Sequence, residues 1–270
     1  MKPFLKWAGG KRWLTQQQPK IIPPHKGLYI EPFLGGGAMF FHFKPSSAIL
    51  CDSNAQLIEC YQAIKDDWDT VFQLLKQHHR KHSNDYYYRI RSTFPRNLQA
   101  KAAKFIYLNR TCWNGLYRVN KMGQFNVPIG TKSSVVFKDD DFEKVSKLLK
   151  GADLRVADFE EVISLSTEGD LIYIDPPYTV RHNNNSFIKY NEVLFSWLDQ
   201  ERLAKTLVGA SERGTLIIGS NAYQDSVKAL YKDSFTLSRL SRQSVISGKR
   251  KGRSVVDELL FSNLSYRAAL

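Results

Sequence analysis

The chain has 270 residues, 43% of them apolar, a formal charge of +13 and a pI of about 9.6. That is enough for one sizeable core plus an inserted lobe, and the apolar runs are too short for a membrane-spanning helix. Met1-Lys2-Pro3 begins no long apolar leader, and Cys51, Cys60 and Cys112 lack CxxC spacing, so a reducing, cytoplasmic setting is expected rather than secretion or a disulfide framework.

In chain order, the first predicted strand is Leu28-Tyr29-Ile30, which runs into Glu31-Pro32-Phe33-Leu34-Gly35-Gly36-Gly37 and then Ala38-Met39-Phe40-Phe41, the expected start of a helix. Glycines there let backbone approach a ligand and allow positive φ, which points to a nucleotide-containing cofactor; a plain flexible turn would use the same glycines. The next strand, Ala48-Ile49-Leu50-Cys51, ends in Asp52, where a carboxylate can accept both ribose hydroxyls. No GKS or GKT phosphate loop is present, which disfavours ATP.

Residues 56–154 read as a helix-rich basic lobe: Lys76 to Lys121 holds 11 Lys/Arg residues against one acid, Asp85. Leu98, Ala102, Phe105 and Ile106 lie at helical spacing, which predicts a helix over Leu98 to Leu108, with Asn109 onward leaving the pattern. The apolar run Leu171-Ile172-Tyr173-Ile174 predicts a buried strand ending at Asp175-Pro176-Pro177-Tyr178. A helical pattern over Asp199 to Arg213 precedes a strand ending at Ser220. Phe235 to Leu240 and Asp257 to Ser262 predict an antiparallel edge hairpin, and Arg239 to Arg253 carries six Lys/Arg residues and no acid.

The tetrapeptide at 175–178 is the most informative chemistry. Two prolines donate no hydrogen bond and keep the backbone extended, so the end of the strand offers acceptors beside an aromatic ring. Such a place suits a planar exocyclic amine: Asp175 and the Pro176 carbonyl each accept one N–H while Tyr178 stacks on the ring, and adenine N6 is such an amine. The basic stretches, interleaved with Tyr86-Tyr87-Tyr88 and Trp113, fit phosphate contact and stacking; a solvated basic face has the same composition. Arg89, Lys249 and Arg250 are candidate DNA contacts on that ground. The six histidines lack partners at metal-ligand spacing, so no metal is expected, and His78, His79 and His82 are read as part of the basic lobe.

Four pieces in order, Phe4 to Lys11, Glu31 to Gly37, Asn109 to Arg118 and Asp175 to Tyr178, resemble the Dam-type DNA adenine-N6 methyltransferases over most of the chain. The resemblance implies transfer of a methyl group from S-adenosylmethionine to N6 of a flipped-out adenine in duplex DNA, usually within GATC. By position it implies cofactor contacts from Trp7, Lys11, Phe33, Gly35, Gly37, Asp52, Asp158, Phe159 and Asp175, and catalytic roles for Asp175, Pro176 and Tyr178. It also implies that Asn109 to Pro128 is a hairpin-like insertion reading DNA, with Asn109, Arg110, Trp113, Asn114, Leu116, Arg118, Asn120 and Pro128 as contacts. Arg118 would donate to guanine O6 and N7, and Trp113 would fill the gap left by the flipped base. Thr179 to Tyr190 reads as a loop over the base. Trp113 and Thr111-Cys112 depart from the tyrosine or phenylalanine forms commoner in this stretch, which leaves flanking-sequence preference open.

The expected architecture is a doubly wound α/β, mostly parallel sheet with an antiparallel edge hairpin and an inserted, mainly helical recognition lobe. Residues 1–55 and 155–270 form the expected cofactor-binding and catalytic domain, and 56–154 the target-recognition domain, acting on double-stranded DNA as a monomer or weak dimer. The rivals are methylation of adenine in structured RNA, for which a major-groove arginine would be useless; methylation of a protein glutamine, for which related folds place Asn before Pro-Pro-Tyr; and a catalytically silent DNA-binding module.

Overall fold

The computed structural model describes residues 1–18, 21–179, 195–243 and 255–264. In chain order its elements are α1 (Arg12–Gln17), β1 (Tyr29–Glu31), α2 (Ala38–Phe43), β2 (Ala48–Asp52), α3 (Ala55–Lys81), α4 (Asn84–Ser92), α5 (Leu98–Thr111), a 3-10 turn (Trp113–Gly115), α6 (Phe142–Leu149) and β3 (Ala152–Val156). Then follow α7 (Phe159–Ser164), β4 (Leu171–Ile174), α8 (Trp197–Glu212), β5 (Leu216–Ala222), α9 (Asp225–Tyr231), β6 (Thr236–Gln243) and β7 (Val255–Ser262). Asn54, Ser83, Asn97, Asp141 and Asp158 each accept a first-turn N–H of the helix they precede, and Ser196 forms a reciprocal capping box with Asp199. These side chains satisfy amides that have no partner inside their helix. The strands follow the order β3-β2-β1-β4-β5-β7-β6, mostly parallel with an antiparallel edge, so the expected α/β class and edge hairpin are present.

The chain divides into two compact units, residues 1–17 with 34–157 and residues 18–33 with 158–270. These boundaries differ from the expected 1–55, 56–154 and 155–270: the glycine turn and β2 fall with the helical lobe. In the first unit, β2 pairs in parallel with β3 along its whole length, from Ala48 opposite Ala152 to Asp52 opposite Val156. α3 and α5 pack against each other, and Leu57, Cys60, Tyr61 and Ile64 on α3 and Ala102, Ala103 and Ile106 on α5 are all buried. β3 carries no apolar run that would mark it as a strand in the sequence: its burial runs from Ala152 through half-buried Leu154 to exposed Val156.

In the second unit, β1 and β5 flank β4 in parallel, and β4 is buried at every position. β5 pairs antiparallel with β7, and β7 with β6. Gly219 on β5 lies opposite Phe261 on β7. A Cβ at 219 would sit 2.0 Å from the Phe261 ring, so only glycine leaves room for that aromatic.

Candidate active site and nucleic-acid interface

Asp175 follows the last residue of β4, at the carboxyl end of three parallel strands, where side chains and loops of such sheets gather around ligands. Ser220, buried on β5, donates to Asp175 Oδ1 at 3.1 Å, and the Tyr173 hydroxyl lies 3.3 Å from Ser220 Oγ. The Pro177 carbonyl accepts from Gln200 Nε2 at 3.3 Å, and Gln200 Oε1 accepts from Asn221 Nδ2 at 2.9 Å. Gln200 and Asn221 are wholly buried. Among the described residues no group donates to the Pro176 carbonyl.

Tyr178 donates to Glu258 Oε2 at 2.8 Å, and Arg242 Nε donates to Glu258 Oε1 at 2.5 Å. Burial, and then the Asp175 and Glu258 carboxylates, hold the Tyr178 phenol far above its ordinary range, so it remains a neutral donor. In the same unit, the Phe33 and Phe159 rings stack at 5.5 Å, with Phe195 edge-on to Phe33 at 5.5 Å. Asp158 caps α7 through the Glu160 N–H and takes a two-toothed ion pair from Arg202, at 2.6 and 2.9 Å. The Arg202 hydrogen bond is the chief favourable cause that keeps the Asp158 carboxyl below its usual range, and the guanidinium lies 4.1 Å over the Phe159 ring.

In the first unit, Gly35 and Gly37 adopt left-handed φ values of 47° and 65°. Asp52 accepts from the Gly35 N–H and the Asn54 N–H, both at 2.9 Å, and the Gly35 carbonyl accepts from Tyr61 Oη at 3.2 Å. Burial pushes the Asp52 carboxyl up, and those two amide bonds pull the other way. Trp7 lies against the same turn: a Cβ at Gly35 would come within 2.7 Å of its Cδ1. Its indole stacks on Tyr117 at 5.4 Å and Phe105 at 6.3 Å. Lys11 is buried, with Nζ on the Gly9 carbonyl at 2.9 Å.

Residues 111–130 form a hairpin. Its rungs are Gly130 N–H to Thr111 O at 2.8 Å, Trp113 N–H to Pro128 O at 2.9 Å, Asn126 N–H to Arg118 O at 3.0 Å and Asn120 N–H to Gln124 O at 2.8 Å. Asn120 Oδ1 also accepts from Met122 and Gln124 at the tip. Trp113 is 51% exposed; Asn114, Arg118 and Pro128 are exposed, and Leu116 and Asn120 half-buried. Arg118 Nε donates to Asn126 Oδ1 at 2.8 Å, which holds the guanidinium along the strand. α4 braces the hairpin: Tyr87 Oη and Arg91 Nη1 both donate to the Val127 carbonyl, at 2.9 and 3.2 Å. Arg89 is exposed on α4, its guanidinium 5.0 Å over the Tyr86 ring.

Two expected DNA contacts are placed otherwise. α5 continues to Thr111, so Asn109 and Arg110 belong to the helix rather than to the insertion, and both are buried, at 2% and 1% exposure. Asn109 exchanges hydrogen bonds with the backbone of Lys6. Arg110 clasps Asp140 at 2.6 and 2.7 Å and donates to the carbonyls of Phe4 and Val135. A guanidinium spent in this way has nothing left to give a base, and its work is structural. The stripe that predicted α5 already held the signal, because Asn109 and Arg110 continue the face of Ala102, Phe105 and Ile106.

Lys249, Arg250 and residues 180–190 of the expected base-covering loop lie outside the described residues. His78 and His82 bond the hydroxyls of Tyr86 and Tyr107 at 2.8 and 2.9 Å, and His79 accepts from the Val135 N–H. Among the described residues no three His, Cys, Asp or Glu side chains could hold a metal ion together, and no helix is long and apolar enough to cross a membrane. Ser220, Gln200, Asn221 and Glu258 were not foreseen, since nothing in their neighbours marks a buried polar group on a strand or helix.

Comparison with known proteins matches residues 7–246 to the D12 class N6 adenine-specific DNA methyltransferase model. The type II methyltransferase M1.LlaDCHI of Lactococcus lactis subsp. cremoris is 33% identical over 97% of this chain and 95% of its own. The type II methyltransferase M.MjaIII of Methanocaldococcus jannaschii is 35% identical over 97% and 99%, and a DNA adenine methylase of Haemophilus influenzae 31% identical over 96% and 92%. With Asp175-Pro-Pro-Tyr178 at the end of β4, a glycine turn bonded to Asp52 and a basic hairpin, this chain belongs to the D12 class of N6 adenine-specific DNA methyltransferases.

Proposed function

We propose that the protein transfers the methyl group of S-adenosylmethionine to N6 of a flipped-out adenine in duplex DNA, within GATC. The observation that carries this reading is the rim of β4: a carboxylate aimed by Ser220, next to two prolines that donate nothing, in a chain of the adenine-specific family.

The residues of each unit suit parts of such a donor. In the first, the left-handed glycines admit close approach of a ligand to backbone, Asp52 keeps acceptor capacity for a ribose diol beyond its two amide bonds, and Trp7 and Lys11 border the turn. In the second, the Phe33 and Phe159 rings with Asp158 suit a purine, and Asp175 would meet the reacting end. When bound, S-adenosylmethionine would supply an electrophilic methyl group.

The chain's own part is to change the amine. The N6 lone pair of adenine is delocalised into the ring, which makes the nitrogen a poor nucleophile. Two fixed acceptors, Asp175 and the Pro176 carbonyl, would draw the two N–H bonds so that the lone pair localises on nitrogen. As positive charge develops there, the carboxylate's attraction grows, so the stabilisation is larger in the transition state than in the ground state. Methylation makes the amine strongly acidic, so its proton can pass late to the Asp175 carboxylate or to solvent. Tyr178 would stack on the flipped base and help offset unstacking, which costs roughly a few kcal/mol. On the hairpin, Arg118 would read a guanine, with Trp113, Asn114, Leu116, Asn120 and Pro128 as further contacts; Arg89, and Lys249 and Arg250 by their charge, would meet phosphates.

The test is incubation with methyl-labelled S-adenosylmethionine and duplexes that differ at single bases, followed by mapping of the label. Label on adenine N6, lost when any base of GATC is changed, is the expected result. Label on a cytosine, or none on any duplex, would overturn the reaction; label on adenine in another sequence would overturn GATC alone.

A further inference from the structure

We propose that Glu258 is a positioning residue for methyl transfer, acting through Tyr178: it fixes the tilt of the ring on which the flipped adenine would stack. The inference rests on the proposed role of Tyr178 and extends it to an edge-strand carboxylate.

Glu258 is 2% exposed, in the middle of β7, opposite Leu240 on β6 and Ala222 on β5. Its two oxygens face different ways: Oε2 takes the Tyr178 hydroxyl at 2.8 Å and Oε1 takes Arg242 Nε at 2.5 Å. Arg242 lies two residues along β6 from the partner of Glu258, so the pair is a diagonal cross-strand contact on one sheet face. The side chains are 15% and 3% exposed, so the ion pair is largely out of water.

A buried ion pair is a poor means of stabilising a sheet, because desolvation of both charges consumes most of the attraction and apolar residues of similar size often serve as well. What apolar residues cannot supply is a directional acceptor for a phenol. The ring of Tyr178 turns about two bonds, and the prolines before it restrain only the backbone end. A hydroxyl tied to a carboxylate, itself held by Arg242, restrains the far end. With both ends fixed, the ring face is set before a base arrives, and the cost of ordering it is met during folding rather than during the reaction.

The decisive variant replaces both members of the pair, Glu258→Met with Arg242→Met. This removes the acceptor without leaving a lone buried charge. It is expected to melt close to wild type and to bind S-adenosylmethionine with wild-type affinity. Single-turnover transfer to saturating duplex should nonetheless slow by about tenfold, the worth of one hydrogen bond. Tyr178→Phe should slow transfer to the same extent, and adding the two Met substitutions to it should slow it no further, because both remove one contact. Glu258→Gln keeps an acceptor oxygen and should recover most of the rate. A duplex with 2-aminopurine at the target adenine should fluoresce more brightly on the Met pair than on wild type, because a loosened ring quenches less.

Wild-type rate and emission in the Met pair would overturn the inference, as would losses that multiply when combined with Tyr178→Phe. If the Met pair does not fold, Tyr178→Phe decides: a tenfold slowing supports the inference and an unchanged rate overturns it. Wild-type protein that transfers nothing to adenine overturns the proposed function itself, a result distinct from all of these.

Discussion

The rim of β4 and the 111–130 hairpin are both made of polar groups, but they hold them differently. At the rim, Asp175, Pro177 and Tyr178 are each held by a side chain from another element, Ser220, Gln200 and Glu258, and those three supports are buried. On the hairpin, Arg118, Asn120 and Asn126 are held by the hairpin's own atoms, and the outer groups face solvent. A group that must develop an interaction during a bond-making step gains from a rigid, water-poor mounting, whereas a group that must read a surface needs only a defined strand beneath it. The two regions should therefore fail in different ways.

The sharpest separation comes from Asp175→Ala. It should cut single-turnover methyl transfer by about a thousandfold or more while duplex affinity stays within a few fold of wild type. Turnover near the wild-type rate would mean that the rim does not carry the chemistry. Arg110→Ala tests the ground on which the hairpin stands. Because Arg110 and Asp140 are both out of water, the variant should lose about 3–5 kcal/mol of folding stability in denaturant unfolding, with activity falling in proportion to folded protein. A folded, stable variant that loses only base preference would put Arg110 back among the DNA contacts. Arg118→Ala should leave the melting transition and the rate on the preferred duplex nearly unchanged but give up about 1–3 kcal/mol of discrimination at one guanine. Unchanged preference across single-base variants would remove Arg118 from recognition and erase the contrast between the regions.

Much of the rim was open to reading because its signals are local. Leu171 to Ile174 is an unbroken apolar run, Asp175 follows it directly, and the prolines say what the backbone can offer. The glycine turn is local in the same way, and Gly35 and Gly37 do take the backbone geometry their residue type allows. The mounting was not open, because Ser220, Gln200 and Glu258 come from separate stretches, and no spacing along the chain shows which polar side chain on a strand turns inward. The hairpin is a different case. It and Arg118 follow from the resemblance alone, and the same resemblance places Asn109 and Arg110 among the DNA contacts although helical periodicity carries them onto the inner face of α5. Composition was misleading for the same reason, since a count of cations treats Arg110, sealed in protein, and Arg89, in solvent, as equals.

Gly219 has a wider consequence. The bare hydrogen at that position is what lets the Phe261 ring lie across β5, and the next residue in the chain is Ser220. A Cβ introduced there would have to displace the Phe261 ring, which is buried and stacked on Tyr231 at 4.1 Å and belongs to β7, the strand that carries Glu258. Lesions in this enzyme thus need not touch methyl donor or nucleic acid: a single methyl group behind the sheet would disturb two supports of the rim at once, Ser220 beside it in the chain and Glu258 on β7.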